Sequence, residues 1–211
     1  MIFLLLKTDL KRLLRNPFSV CLPLIFFIMV LTLQVFTIRN GLKPAESLGY
    51  SLLFVALLLS LFLQHGTLFD FEASSGILEE IFLQKVPLES VFIAKTLGLW
   101  AFQAIPLLLC TPLAALLLDI KITLQVLCSL SLTSLGLAVL LSLGAAIALK
   151  STRSQLLVPV LLLPLATPVL IFGLGAVLLP NTPALLYLAG LVLGLCAITP
   201  WLGALALKNS L

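Results

Sequence analysis

Long apolar runs separated by brief polar punctuation make up most of this chain. A helix that crosses a ~30 Å hydrocarbon layer needs about 20 mostly apolar residues at ~1.5 Å rise each. Six stretches meet that length: 18 to 38, 48 to 66, 97 to 118, 123 to 148, 156 to 179 and 184 to 206. None carries Asp, Glu, Lys, Arg or His away from its ends. Ahead of them, residues 1 to 16 place Ile2, Phe3, Leu6, Leu10, Leu13 and Leu14 at steps of three and four, opposite Thr8, Lys11, Arg12 and Arg15. That spacing predicts an amphipathic helix lying in the membrane interface and ending at Asn16-Pro17. A secretory signal peptide is the rival reading, but the cations follow the first apolar residues and no small-residue cleavage site appears.

Composition agrees with the pattern. The chain is 62% hydrophobic and only 9% charged, with a mean hydropathy of +1.28, against roughly 25% charged residues in soluble domains. The expected fold is an all-α integral membrane protein with six transmembrane helices, one membrane domain over 1–211, and no room for a soluble catalytic module. Short cytoplasmic connections are enriched in Lys and Arg. With the N-terminus inside, the cytoplasmic side would hold Lys7, Lys11, Arg12, Arg15, Lys85, Lys95, Lys150, Arg153 and Lys208, and the other side only Arg39, Lys43 and Lys121. Both termini are therefore expected in the cytoplasm. The net charge of +4 reads as a topology signal; a nucleic-acid partner would need a basic patch on a water-facing fold.

Proline and small residues gather in the later spans. Pro106 and Pro112 fall in the third, and Pro159, Pro164 and Pro168 in the fifth, where each removes an intrahelical hydrogen bond and a kink is expected. Ser134, Ala138, Ser142 and Ala146 form an i, i+4 strip in the fourth span, and Gly190 and Gly194 a Gly-x-x-x-Gly in the sixth. Small residues at this spacing let helices approach closely, either inside one bundle or at a subunit interface. Cys21, Cys110, Cys128 and Cys196 are irregularly spaced and read as small packing residues. His65 lies at the end of the second span without a second ligand nearby in sequence, and reads as an interfacial polar residue. Trp100 and Trp201 read as interfacial or packing aromatics.

Two chemistries are missing from the sequence. No charged residue sits within a span to couple transport to ions, and there is no G-x-x-x-x-G-K-[ST] phosphate loop. The chain is expected to be non-catalytic, with any energy supplied by another subunit. The informative element is then the cytoplasmic segment 67–95. Residues 69 to 87 hold Asp70, Glu72, Glu79 and Glu80, four of the eight carboxylates. Ile77, Leu78, Ile81 and Phe82 follow helical spacing between Gly76 and Pro87. Such a helix could rest on the membrane, but its anionic residues suit an anionic leaflet poorly and favour docking on a soluble protein with a basic cleft.

Within this segment Phe69-x-x-Glu72-x-x-x-Gly76-x-Leu78-Glu79, then Pro87-Leu88, Ala94-Lys95 and Trp100, resembles the cytoplasmic segment of the CcmB family, the haem-exporter permease subunits of cytochrome c maturation. The resemblance continues in Pro106-Leu107-Leu108, Pro112-Leu113, Leu163-Pro164-Leu165, Pro168 and Leu170-Ile171-Phe172, and so covers most of the chain. It implies an ABC-2-type permease domain in the bacterial inner membrane, working as a homodimer with CcmA-like ATPase subunits that bind ATP. It also implies CcmC-like and CcmD-like membrane partners and a link to a CcmE-like periplasmic haem chaperone. Haem is the implied substrate, or the subunit acts mechanically to release the loaded chaperone. The W-x-W-x-x-D motif of the CcmC branch is absent, so no residue is assigned as a haem ligand and no cofactor or metal site is expected. Because the chain has no phosphate loop and one acidic, amphipathic cytoplasmic element, an ATPase is expected to dock there, with Glu72, Glu79 and Glu80 facing cations, Ile77, Leu78, Ile81 and Phe82 filling a hydrophobic groove, and Gly76 and Pro87 fixing the ends. Other readings of the same chain are an ABC-2 permease for a lipid or drug and a non-transporting membrane scaffold.

Overall fold

The computed structural model describes residues 18–39, 46–63, 68–69, 75–84, 86–149, 152–179 and 183–210. The interfacial helix expected over residues 1–16 lies outside them. The described residues are helical throughout their regular elements: α1 Phe18–Arg39, α2 Glu46–Phe62, α3 Ile77–Leu83, α4 Leu88–Leu99, a π-helical segment Trp100–Ala104, α5 Ile105–Leu109, α6 Thr111–Leu118, α7 Leu124–Ala148, α8 Thr152–Leu178 and α9 Ala184–Ser210. Four runs among them are long and apolar enough to cross a membrane: Leu88–Leu109, Leu124–Ala148, Val160–Leu178 and Ala184–Lys208. The first two expected spans coincide with shorter apolar helices, Cys21–Leu33 and Glu46–Phe62.

α7 is the axis of the bundle, packed against α8, α9, α2, α4 and the π segment. Its sequence explains the position. Small residues at 134, 136, 138, 142, 144, 145 and 146 keep it slim, and all are buried. The Ser134 to Ala146 strip faces α4 and the π segment within the same chain: Trp100 Nε1 donates to Ser134 Oγ at 3.1 Å and Thr96 Oγ1 to Ser142 Oγ at 2.7 Å. Both serines pass their own protons to α7 carbonyls, those of Ser131 and Val139. On the other side Ser129 Oγ donates to Gly173 O at 2.6 Å and Gln125 Nε2 to Ala176 O at 2.7 Å, pinning α8. In hydrocarbon each such group must find a protein partner, because water is absent.

The third span departs from its expected boundaries. It begins at Leu88, straight after Pro87, instead of at 97. Lys95 is thus a buried member of α4 and no part of a connecting segment. Glu89 and Lys95 had made this stretch look aqueous, but a helix buries one side and leaves the other free. Two prolines then shape its far half. Pro106 lacks the N–H that would bond the Phe102 carbonyl, and the preceding turn, Trp100–Ala104, relaxes into π-helix. Pro112 deprives the Leu108 carbonyl in the same way, and there the Thr111 hydroxyl replaces the missing donor at 2.7 Å. Asp119 ends α6 in the left-handed region with φ 52°. Tyr50 OH donates to Lys121 O at 2.7 Å, fastening this turn to α2.

Close helix contact occurs at glycines other than the expected pair. A Cβ on Gly49 would meet Ile120, one on Gly173 would meet Thr133 and Phe54, and one on Gly203 would meet the Phe92 ring. Gly190 and Gly194 instead face open space on the outer side of α9, so among the described residues they do not pack against another helix. Pro164 and Pro168 are also exposed, within an α8 that continues as helix from Thr152 to Leu178. Tyr187 and Trp201 lie on the outer surface of α9, both exposed. They are fourteen residues, about 21 Å, apart along the helix axis, a spacing suited to anchoring at the two membrane boundaries.

Candidate functional site

The acidic segment forms a short helix held at both ends. Gly76 has φ +73°, a conformation that a side chain would strain, and its carbonyl accepts the Glu80 N–H at 3.2 Å to start α3. Past the helix, Gln84 N bonds Glu80 O, and Val86 N bonds Ile81 O at 3.3 Å. Pro87, at φ −63° and ψ 120°, turns the chain into α4, and Ser90 N returns to its carbonyl at 3.0 Å. The expected helix between Gly76 and Pro87 is therefore present.

Its apolar side is occupied by the chain itself. Leu78 and Ile81 are buried in a cluster with Phe69, Leu88, Val91 and Phe92, joined by Leu143 and Ala146 of α7 and Leu207 of α9. The expectation that Leu78 and Ile81 fill a groove on a partner is corrected accordingly: they anchor α3 to its own bundle, where their burial excludes more apolar surface than a projecting side chain could. Glu79 and Glu80 point outward and are exposed, Gln84 Nε2 reaches Glu80 Oε1 at 3.2 Å, and Leu83 stands 79% exposed. Among the described side chains of α3, those exposed to meet another protein are thus Glu79, Glu80 and Leu83. Glu72 and His65 lie outside the described residues, as does the side chain of Phe82.

This arrangement suits a lever. The cluster beneath α3 draws its members from α4, α7 and α9, so a force on the exposed edge reaches three long helices through close-packed side chains, which transmit displacement with little compression. Among the described residues no three His, Cys, Asp or Glu side chains gather into a metal-binding group, and the four cysteines are free.

One site-like feature escaped the sequence reading. Gln103, buried to 5% exposure in the π segment, donates through Nε2 to the carbonyls of Ser60 and Leu61 at 3.0 and 3.3 Å. The signal was a lone carboxamide inside an apolar span, which has to find partners there.

Comparison with known proteins places these features in a wider set. The family described as CcmB protein matches residues 1–210. The chain is 35% identical over 214 residues to heme exporter protein B of Pseudomonas aeruginosa, covering 98% of this chain and 96% of that one. It is 33% identical over 221 residues to the protein of the same name in Haemophilus influenzae, covering 100% and 99%. With that of Rhodobacter capsulatus it shares 32% identity over 216 residues and 98% of both chains.

Proposed function

The chain belongs to the CcmB protein family, and we propose that it is the membrane permease subunit of a haem-export complex serving cytochrome c maturation. The observation that carries this reading is a match to heme exporter protein B along essentially the full length of both chains. The apolar helical bundle supports a transport role in a membrane, with haem as cargo and no resident cofactor.

The two shorter apolar helices complete six spans of an ABC-2-type domain in the bacterial inner membrane, with both termini cytoplasmic, as the cations outside the spans, eight against three once Lys95 is placed within α4, support. A CcmA-like ATPase docks on α3, its cations meeting Glu79 and Glu80 and an apolar pocket receiving Leu83. Two copies of the chain form the working unit, joined by CcmC-like and CcmD-like proteins and delivering haem toward a CcmE-like chaperone. ATP hydrolysis moves α3, and the cluster beneath it passes the motion to α4, α7 and α9.

Deletion of the gene in its host, followed by return of the wild-type chain, tests this. Haem staining of c-type cytochromes should vanish and return. Normal staining in the deletion strain, with loss of a lipid or drug export activity instead, would overturn the haem assignment.

A further inference from the structure

α2 ends inside the bundle. Tyr50 is tied to the turn at Lys121, and Ser60 lies ten residues beyond it, about 15 Å down the helix axis. Gln103 lies fifteen residues above Leu88, about 22 Å along the opposing helix. Their meeting point is well removed from either end of the bundle. Ser60 O and Leu61 O are carbonyls of the last turn of α2. Both accept from Gln103 Nε2, so a side chain of the π segment caps α2 from across the bundle. Only the NH2 group can serve two carbonyls, which fixes the amide orientation. The oxygen, Oε1, is then buried with no hydrogen-bond partner among the described residues.

The cap sits where α4 is softest. The π segment has wider turns than an α-helix, and Pro106 withholds a donor just beyond it. Connectivity adds a second consideration. From Phe62 the chain leads to α3, and from α3 through Pro87 into α4, so Gln103 joins the same two helices that α3 links covalently. The Phe69 and Phe92 rings, stacked 6.4 Å apart, make another bond between this connection and α4. Displacing α3 loads both contacts. The aromatic one is closely packed, whereas the Gln103 contact leaves an acceptor unsatisfied, so a second arrangement that gives Oε1 a donor competes with it.

We propose that Gln103 is a conformational catch: it holds the inner end of α2 against α4 in the state seen here and lets go when α3 is displaced. The proposal rests on the reading of this chain as an ATPase-driven permease, and makes Gln103 a positioning residue.

Ser60→Cys supplies a buried probe at the catch, in a chain whose Cys21, Cys110, Cys128 and Cys196 are replaced by Ala. In the complex copurified with its ATPase, maleimide should label this thiol slowly without nucleotide and several-fold faster with ATP and vanadate. Adding Gln103→Met should give fast labelling in both conditions. Labelling at one rate in both states, in a complex that hydrolyses ATP and supports cytochrome formation, would overturn the catch and leave the transport reading standing. A chain that recovers no ATPase and restores no cytochrome removes the transport reading and the catch with it. Should Gln103→Met fail to insert, the nucleotide dependence in the Gln103 chain still decides.

Discussion

Phe69 and Phe92 stack with ring centroids 6.4 Å apart and planes 16° from parallel, joining the segment before α3 to the first turns of α4. Each is 1% exposed, and Gly203 of α9 lies so close to the Phe92 ring that no Cβ would fit. Three separate parts of the chain thus converge beneath the acidic helix. Truncation of a buried Phe to Ala typically costs about 3–5 kcal/mol. Phe92→Ala should therefore lower the thermal unfolding midpoint of the detergent-purified chain by several degrees. An unchanged midpoint would mean that the cluster does not hold α3 in place.

The glycines give a paired comparison. Gly203→Ala forces the Phe92 ring to move, an overpacking that costs about 1–3 kcal/mol. Gly190→Ala enters open space and gains up to about 1 kcal/mol of helix propensity. In thermal melts the first variant should be less stable than wild type and the second at least as stable. If two copies of the chain pair through the outer side of α9, Gly190→Leu should reduce cross-linking between copies while leaving the melt of the single chain unchanged.

Thr111 and Pro112 form a testable couple. Thr111→Val removes the hydroxyl from the Leu108 carbonyl, which keeps a backbone N–H, and the loss of one hydrogen bond costs about 0.5–1.5 kcal/mol. Pro112→Ala restores a backbone N–H to that carbonyl. Thr111→Val should consequently be clearly destabilising in the native background and much less so beside Pro112→Ala. Equal effects in the two backgrounds, measured by thermal melts as a double-mutant cycle, would contradict the replacement of donor by hydroxyl.

Orientation is open to direct measurement. Reporter fusions after Lys43 and after Lys208 should lie on opposite sides of the membrane. Activity on the same side would remove the six-span arrangement.

The long apolar runs were legible because hydrocarbon thickness dictates helix length: 123 to 148 was expected and Leu124–Ala148 is found. Boundaries set by proline were less so. The start of α4 at Leu88 was obscured by Lys95, whose long stem lets it sit within a packed helix where its charge suggested water. Which glycines mediate close approach was hidden for a different reason. Gly190 and Gly194 match a local spacing rule, but contact depends on the opposing helix, and Gly203 is close-packed only because Phe92 lies across from it. The acidic helix itself was readable from Gly76, Pro87 and the spacing between them. The inward turn of Leu78 and Ile81 was not, because an apolar helix face looks the same whether it meets its own bundle or a partner. Gln103 was passed over since a single uncharged polar residue barely alters mean hydropathy.

The most direct test of the account is whether the ATPase docks on the exposed edge of α3. Buried anchors dominate interface energy while rim charges contribute little. Leu83→Asp should therefore cost more association than Glu79→Lys/Glu80→Lys, and both should reduce it. Copurification of the ATPase with each variant, at matched levels of inserted chain, should fall in that order, with ATP hydrolysis and c-type cytochrome formation falling alongside. Undiminished association with both variants would place the docking surface elsewhere and contradict the account.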